Sequence, residues 1–446
     1  MRFTARRTVP ALLAPLCALI VAALLATPWA AASTKGPRKA QQTTAGQPPT
    51  QNSAQCQNHD RPPPPVDTSE EPKPGQPSPQ ALPVPDEPVG GTRMGECGVI
   101  APAGAKAVIA GEVISASWVI ADLDTGAVLA AKDPHARERP ASLIKTLLAI
   151  AVIRELRMDE AVTGTQEDAD QEGTKVGVGP GGQYTVRQLL FALVMRSGND
   201  AAHALARQLG GVPAALDKMN ALAKELGALD TRAATPSGLD GPGMSTSAYD
   251  LSLVYRAAMK HKEFAEAVGT KSIDFPGYGT KPGYKVVNDN KLLGRYPGFL
   301  GGKTGFTDDA RHTYLGGAKK GDKRIAVVMM RGELNPAPLA EQAAKLLDYG
   351  FALAAESAKP VGELVDHAPE AQPKQGTGMG TASTQAPEPT PAAAIEDREV
   401  ADTQRSAFGN YGAPLVGLAG VAVLASFALW FRRKRAKAAR ARRAAA

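Results

Sequence analysis

Several chemistries are closed off by what this chain lacks. No Gly-x-Ser-x-Gly segment occurs anywhere, which argues against the Ser-His-Asp hydrolases that carry their nucleophile in that turn. Histidine is scarce at six residues, and His135, His203, His261 and His312 make no metal-ligand spacing. His203 lies in an Ala-rich helical pattern that suits packing, while His312 follows a Lys-Thr-Gly triplet closely enough to line a pocket there. Cysteine is scarcer still, at three. There is no internal repeat. Pro297-Gly298-Phe299-Leu300-Gly301-Gly302-Lys303-Thr304 comes close to a phosphate-binding loop, but proline stands where its first glycine is required and no buried strand precedes it.

Acidic residues are missing from the last fifteen positions, which hold eight basic ones between Arg432 and Arg443. With Arg2, Arg6 and Arg7, the termini account for eleven basic residues. Setting those aside from 51 leaves 40 Lys+Arg against 44 Asp+Glu, so the formal charge of +7 belongs to the ends and the body is mildly acidic. A nucleic-acid partner is not expected.

The ends read as export and anchoring devices. Residues 1–32 have a basic start, an apolar run from Ala11 to Thr27 and small residues at Ala30-Ala31-Ala32, the pattern of a signal peptide. A second uncharged apolar run, 413–431, is just long enough for a bilayer core. The basic tail 432–446 follows it at once. Positive flanks stay cytoplasmic, so the expected topology is a single-pass cell-membrane protein with its catalytic body outside and its C-terminus inside. Cys17 leaves with the signal, and Cys56 and Cys97 fit either a disulfide or two free thiols.

Proline divides the interior. Residues 33–94 are rich in Pro, Gln, Thr and Ser, a composition that buries little apolar surface and predicts a disordered spacer. Residues 361–412 read as a second spacer. The folded domain is expected at 95–360, α+β in class, an antiparallel sheet flanked by helices with a helical subdomain. Hairpins are predicted at 116–131 and 313–330, and helices at 142–156, 186–195, 201–209, 214–226 and 338–353.

Within that domain Ser142 and Lys145 stand three apart at the start of an apolar helix and share one face, a turn apart. A serine hydroxyl needs a base, and burial can lower a lysine's proton affinity enough to supply one. Ser197-Gly198-Asn199 falls between two helical patterns, where a hydroxyl and an amide can relay a proton and hold a peptide. Lys303-Thr304-Gly305 precedes the second hairpin, with a cation and hydroxyl able to bind a carboxylate and a glycine that allows close approach.

In this order the three elements resemble the motif set of penicillin-binding proteins and serine β-lactamases. The sequence is most similar to the low-molecular-mass D-alanyl-D-alanine carboxypeptidases, sharing also Asp122-Leu123-Asp124-Thr125-Gly126, Thr235-Pro236-Ser237-Gly238-Leu239-Asp240 and Ser245-Thr246-Ser247-Ala248-Tyr249-Asp250. The likeness runs from about Gly111 to Leu353, and the family's second, β-rich domain is not evident. It implies a transpeptidase-like fold and removal of terminal D-Ala from peptidoglycan stem peptides, with β-lactams as covalent inhibitors and no cofactor or metal. It implies Ser142 as nucleophile, Lys145 as base and Ser197 and Asn199 as completing the proton network. Lys303, Thr304, Gly305 and Phe306 would form the substrate site, with the N–H groups of Ser142 and Phe306 as oxyanion hole. A β-lactamase fits less well, because no Glu-x-x-Leu-Asn element follows the second motif. An endopeptidase or transpeptidase, or an inactive wall-binding module, stands as a further alternative.

Overall fold

The computed structural model describes residues 56–106 and 111–369. The segments read as signal peptide, membrane span and basic tail lie outside the described residues, as does most of the second spacer. Among the described residues no helix is long and apolar enough to cross a membrane.

The strands of the domain begin with β1 (Val99–Ile100), β2 (Ser115–Asp122) and β3 (Ala127–Lys132). A helical region follows: α1 (Lys145–Glu155), β4 (Ala161–Thr163), α2 (Gln166–Ala169), β5 (Gln183–Thr185), α3 (Val186–Arg196), α4 (Asn199–Gln208), α5 (Val212–Glu225), α6 (Ala248–Ala258) and α7 (Lys262–Gly269). It closes with β6 (Ser272–Phe275), β7 (Tyr284–Val287), β8 (Phe299–Thr307), β9 (Arg311–Lys320), β10 (Lys323–Gly332), α8 (Leu339–Ala355) and β11 (Gly362–Glu363).

One antiparallel sheet organises the domain, in the order β1-β3-β2-β10-β9-β8, with β11 also paired to β3. Strands from the two ends of the domain meet at the β2–β10 pair, where Val327 lies opposite Ile120 and Met329 opposite Trp118. Successive strand residues point to opposite faces, and both faces are covered. Trp118, Ile120, Val327 and Met329 pack against α8 through Leu346, Leu347 and Phe351. Val119, Ala121, Val328 and Met330 pack toward α1 and the other helices. Helix α1 is apolar nearly all round because it lies between sheet and helices, and Lys145 to Val152 are all buried. The predicted α+β architecture is the one observed.

Two expected boundaries are corrected. Residues 56–94, read as part of a disordered spacer, form an ordered strap on the domain surface. Its backbone is held by buried arginines: Arg137 donates to the carbonyls of Asp60 (2.7 Å), Leu82 (2.6 Å) and Pro83 (2.8 Å). Arg139 donates to Pro63 O (2.7 Å) and pairs with Glu70. A Cys56–Cys97 disulfide fastens the strap to the domain. Composition foretold the lack of regular structure, but guanidinium donors and a covalent bond replace the apolar burial the segment lacks. At the other end the fold runs past residue 360. Glu363 pairs with Ala127, Leu364 is buried, and Asp366 bonds Arg256.

Candidate active site

The segment carrying Ser142 is a single 3-10 turn, Ala141–Ile144, which runs directly into α1. Its entry is tightly fixed. Thr313 of β9 donates to Pro140 O at 3.0 Å, and Ala141 takes a left-handed φ of 46°. A non-glycine residue accepts that conformation only where its surroundings impose it, a common feature of reactive turns. Ser142 is left partly accessible, while Lys145, one turn further on, is wholly buried.

The Lys145 ammonium meets three oxygens. It donates to Ser142 Oγ at 2.9 Å, to Asn199 Oδ1 at 2.7 Å and to the Ser237 carbonyl. Burial holds its proton affinity well below the ordinary lysine value, and the nearby charge of Lys303 lowers it further, against smaller opposing effects of Asp200 and Asp289. Neutral lysine beside a hydroxyl is the pairing that activates a serine.

Asn199 opens α4 and is oriented from behind. Its Nδ2 donates to Glu172 O at 2.7 Å, and its backbone N–H to Thr174 O at 2.7 Å, so Oδ1 is the atom turned to Lys145. The loop supplying those carbonyls is fixed by buried Asp200, which accepts from Val176 N (2.9 Å) and Val178 N (2.9 Å). Ser197 caps α3 with a left-handed φ of 64° and is nearly buried. No hydrogen bond among the described residues joins its hydroxyl to the Ser142–Lys145–Asn199 cluster.

Lys303, Thr304, Gly305 and Phe306 lie within β8, the edge strand, ahead of the hairpin as read and paired to its first strand. Lys303 is buried, donates to Thr304 O at 2.6 Å, and is pushed down to about 8 by desolvation. The Thr304 hydroxyl is 3.4 Å from Asp289 Oδ1. Gly305 is required by contact: a Cβ there would lie 2.5 Å from Thr313 Oγ1 and 2.8 Å from Ser142 N. Phe306 is half exposed and packs on His312, ring centroids 4.6 Å apart, so His312 does stand beside the third motif. His203 instead pairs with Asp168 at 2.6 Å, together with Arg207.

Sequence reasoning missed the parts that act through backbone. The Ser237 carbonyl accepts a hydrogen bond from Lys145, and Gly238, at φ 83°, packs where a Cβ would collide with the Ala141 carbonyl. Both belong to the Thr235–Asp240 segment, which carried a family likeness but no chemistry of its own. Asp200, next to Asn199, gave no signal beyond its position.

Two groups among the described residues bring three possible metal ligands together: His135, Asp230 and Asp250, and Glu70, Asp240 and Asp309. In each a guanidinium already supplies positive charge. Arg137 Nε donates to Asp230 at 3.0 Å, and Arg139 pairs with Glu70.

A sequence profile described as D-alanyl-D-alanine carboxypeptidase matches residues 104–333, just over half of the chain and all three elements of the site. The chain belongs to that family. Its reaction is the family's, hydrolytic removal of a C-terminal D-alanine. D-alanyl-D-alanine carboxypeptidase DacB2 of Mycobacterium tuberculosis is 46% identical over 241 residues, 53% of this chain and 82% of its own length. DacF of Bacillus subtilis is 33% identical over 241 residues, 53% of this chain and 61% of its own length.

Solved structures agree with the family fold. A D-alanyl-D-alanine carboxypeptidase from Mycobacterium tuberculosis H37Rv superposes with a TM-score of 0.56 at 43% identity, covering 59% of this chain and 100% of that one. The Streptomyces K15 DD-transpeptidase superposes at 0.51 with 28% identity, covering 54% of this chain and 98% of the other. Family membership brings peptidoglycan as the substrate class and β-lactams as covalent ligands.

Proposed function

We propose that Ser142 is the nucleophile of this D-alanyl-D-alanine carboxypeptidase and Lys145 its general base. The observation that carries this reading is the fully buried Lys145 Nζ at 2.9 Å from Ser142 Oγ, with burial disfavouring its charge. Neutral Lys145 takes the hydroxyl proton as Oγ attacks the carbonyl carbon of the penultimate D-Ala. The carbonyl oxygen becomes an oxyanion facing the N–H groups of Ser142 and Phe306. The C–N bond then breaks, the departing amine takes the proton from Lys145, and D-alanine leaves. Water, giving a proton to Lys145, attacks the ester and restores Ser142.

Recognition falls to β8. As an edge strand it can pair with an extended peptide, and Lys303 with Thr304 supplies a cation and a hydroxyl for the terminal carboxylate. Asn199 holds Lys145 and the substrate amide, and Ser197 completes the proton path once substrate is bound. Incubation with a penicillin followed by peptide mass spectrometry should place the adduct on the peptide containing Ser142. An adduct that persists in Ser142→Ala would remove the assignment.

The resemblance to a DD-transpeptidase keeps an amine acceptor in view as a second reading. A carboxypeptidase reads a free carboxylate, so a peptide ending in D-Ala-D-Ala should be cleaved far faster than its amidated counterpart. Equal turnover would favour an endopeptidase or transpeptidase role.

We infer further that the enzyme is exported and held at the cell membrane by residues 413–431, with the C-terminus cytoplasmic. The supports are the terminal sequence patterns and a disulfide suited to an oxidising compartment. External protease on intact cells should release a fragment containing Ser142 and leave a tag after Ala446 protected. The reverse pattern would refute the topology.

A further inference from the structure

The strap places an unusual demand on the residues just ahead of the nucleophile. Arg137, Glu138 and Arg139 are consecutive and all but inaccessible, at 1%, 1% and 2% exposure. All three side chains serve the strap. Arg137 holds the carbonyls of Asp60, Leu82 and Pro83. Glu138 accepts from Asn58 Nδ2 at 3.1 Å. Arg139 donates to Pro63 O and pairs with Glu70. Ser142 comes three residues later, so the strap fixes one end of the nucleophile segment.

The same stretch of strap also holds the far end of β8. Asp309, just past that strand, accepts from Val66 N at 2.5 Å and Ser69 Oγ at 3.5 Å. It lies 4.0 Å from Arg139, and its carboxylate is grouped with those of Glu70 and Asp240. Residues 63–70 therefore join the segment that presents Ser142 to the strand that presents Lys303 through Phe306. Between these walls there is no slack, since a Cβ on Gly305 would stand 2.8 Å from Ser142 N. Any relative shift changes the spacing of nucleophile, oxyanion donors and carboxylate receptor together.

Taking Ser142 as the acylated residue, we propose that the proline-rich strap is a positioning element of the catalytic centre. Glu70 and Arg139 are its positioning residues, and the Cys56–Cys97 disulfide is its latch. Glu70 gives Arg139 a buried counter-charge, and an arginine deprived of one seeks another acceptor. The nearest is Asp309, 4.0 Å away at the end of β8, so losing Glu70 pulls the two walls of the cleft into a new register. The disulfide joins residues 41 apart in sequence and reduces the freedom that a proline-rich segment must give up to stay docked.

The test compares full-length wild type, Glu70→Ala, Glu70→Asp and the double variant Cys56→Ser/Cys97→Ser. Rapid-mixing acylation by a fluorescent penicillin separates the dissociation constant of the first complex from the acylation rate constant, and melting is followed in parallel. Glu70→Ala should lower the acylation rate constant about ten- to a hundredfold, the scale on which small misplacements act. Its first dissociation constant should change little, and Glu70→Asp should recover most of the rate. The double cysteine variant should lose acylation rate in the same step.

An acylation rate constant equal to wild type in Glu70→Ala, whatever its melting temperature, overturns the proposal and leaves the strap as packing alone. Should Glu70→Ala not fold, the same wild-type rate constant in the double cysteine variant overturns it. Failure of the wild type to acquire any label on Ser142 would instead strike the nucleophile assignment itself.

Discussion

Lys145 and Lys303 are both cut off from water within one site, and the charge of Lys303 adds to burial in lowering the proton affinity of Lys145. Their tasks are opposite. In the proposed mechanism Lys145 works neutral and Lys303 works charged, so that mechanism needs the first to lose its proton before the second.

The pH profile follows. The kcat/KM for an acid-ended peptide should rise as Lys145 deprotonates and fall above about 8, where Lys303 loses its charge. An amidated peptide has no carboxylate to lose, so its profile should lack the falling limb. Lys303→Ala should cut kcat/KM for the acid substrate about ten- to a hundredfold and spare the amide. Parallel profiles for both peptides would show that Lys303 does not read the carboxylate.

Removing the proposed base should leave the fold standing. Lys145→Ala should slow acylation about a hundred- to ten-thousandfold, the usual scale for a positioned proton acceptor. The far-ultraviolet circular dichroism should be that of the wild type. Acylation within a few-fold of wild type would mean that another group accepts the Ser142 proton.

Gly238 should tolerate no side chain. Its left-handed φ of 83° and its contact with the Ala141 carbonyl make Gly238→Ala doubly strained. The variant should lose about 1–3 kcal/mol in urea unfolding and acylate more slowly, since the displaced carbonyl precedes Ser142. Unchanged unfolding and acylation together would show that the segment yields freely.

Glu138 predicts a pH effect on stability. Burial raises its carboxyl from the ordinary 4.5 to about 7. Between those values the folded state holds a proton the unfolded state has released, so stability is full below 4.5 and falls as pH rises through about 7. The loss is about 3 kcal/mol, and Glu138→Gln should remove that slope. Urea midpoints measured across this range decide the matter, and a wild-type slope retained by the variant would point to another group.

The local spacing of residues determined much of this protein. Three residues of helix bring Ser142 and Lys145 to one face. Apolar runs separated by turn-forming polar and glycine residues gave both main hairpins, and the ordered triplets gave the family. What the sequence could not decide was anything set by partners distant in the chain. Lys303-Thr304-Gly305 reads only as a triplet ahead of the second hairpin, yet pairing with β9 makes it part of an edge strand. Helix α6 went unread, although Ser247 caps it through Asp250 N, and its buried polar residues blur the apolar period. The strap misled for a related reason. Composition measures what a segment can bury by itself, and here the stabilising donors are Arg137 and Arg139, more than fifty residues away. The Ser237 carbonyl likewise reaches Lys145 across 92 positions, as a backbone atom that no side-chain pattern encodes. Tertiary structure decided those contacts because folding alone brings such distant groups within hydrogen-bonding range.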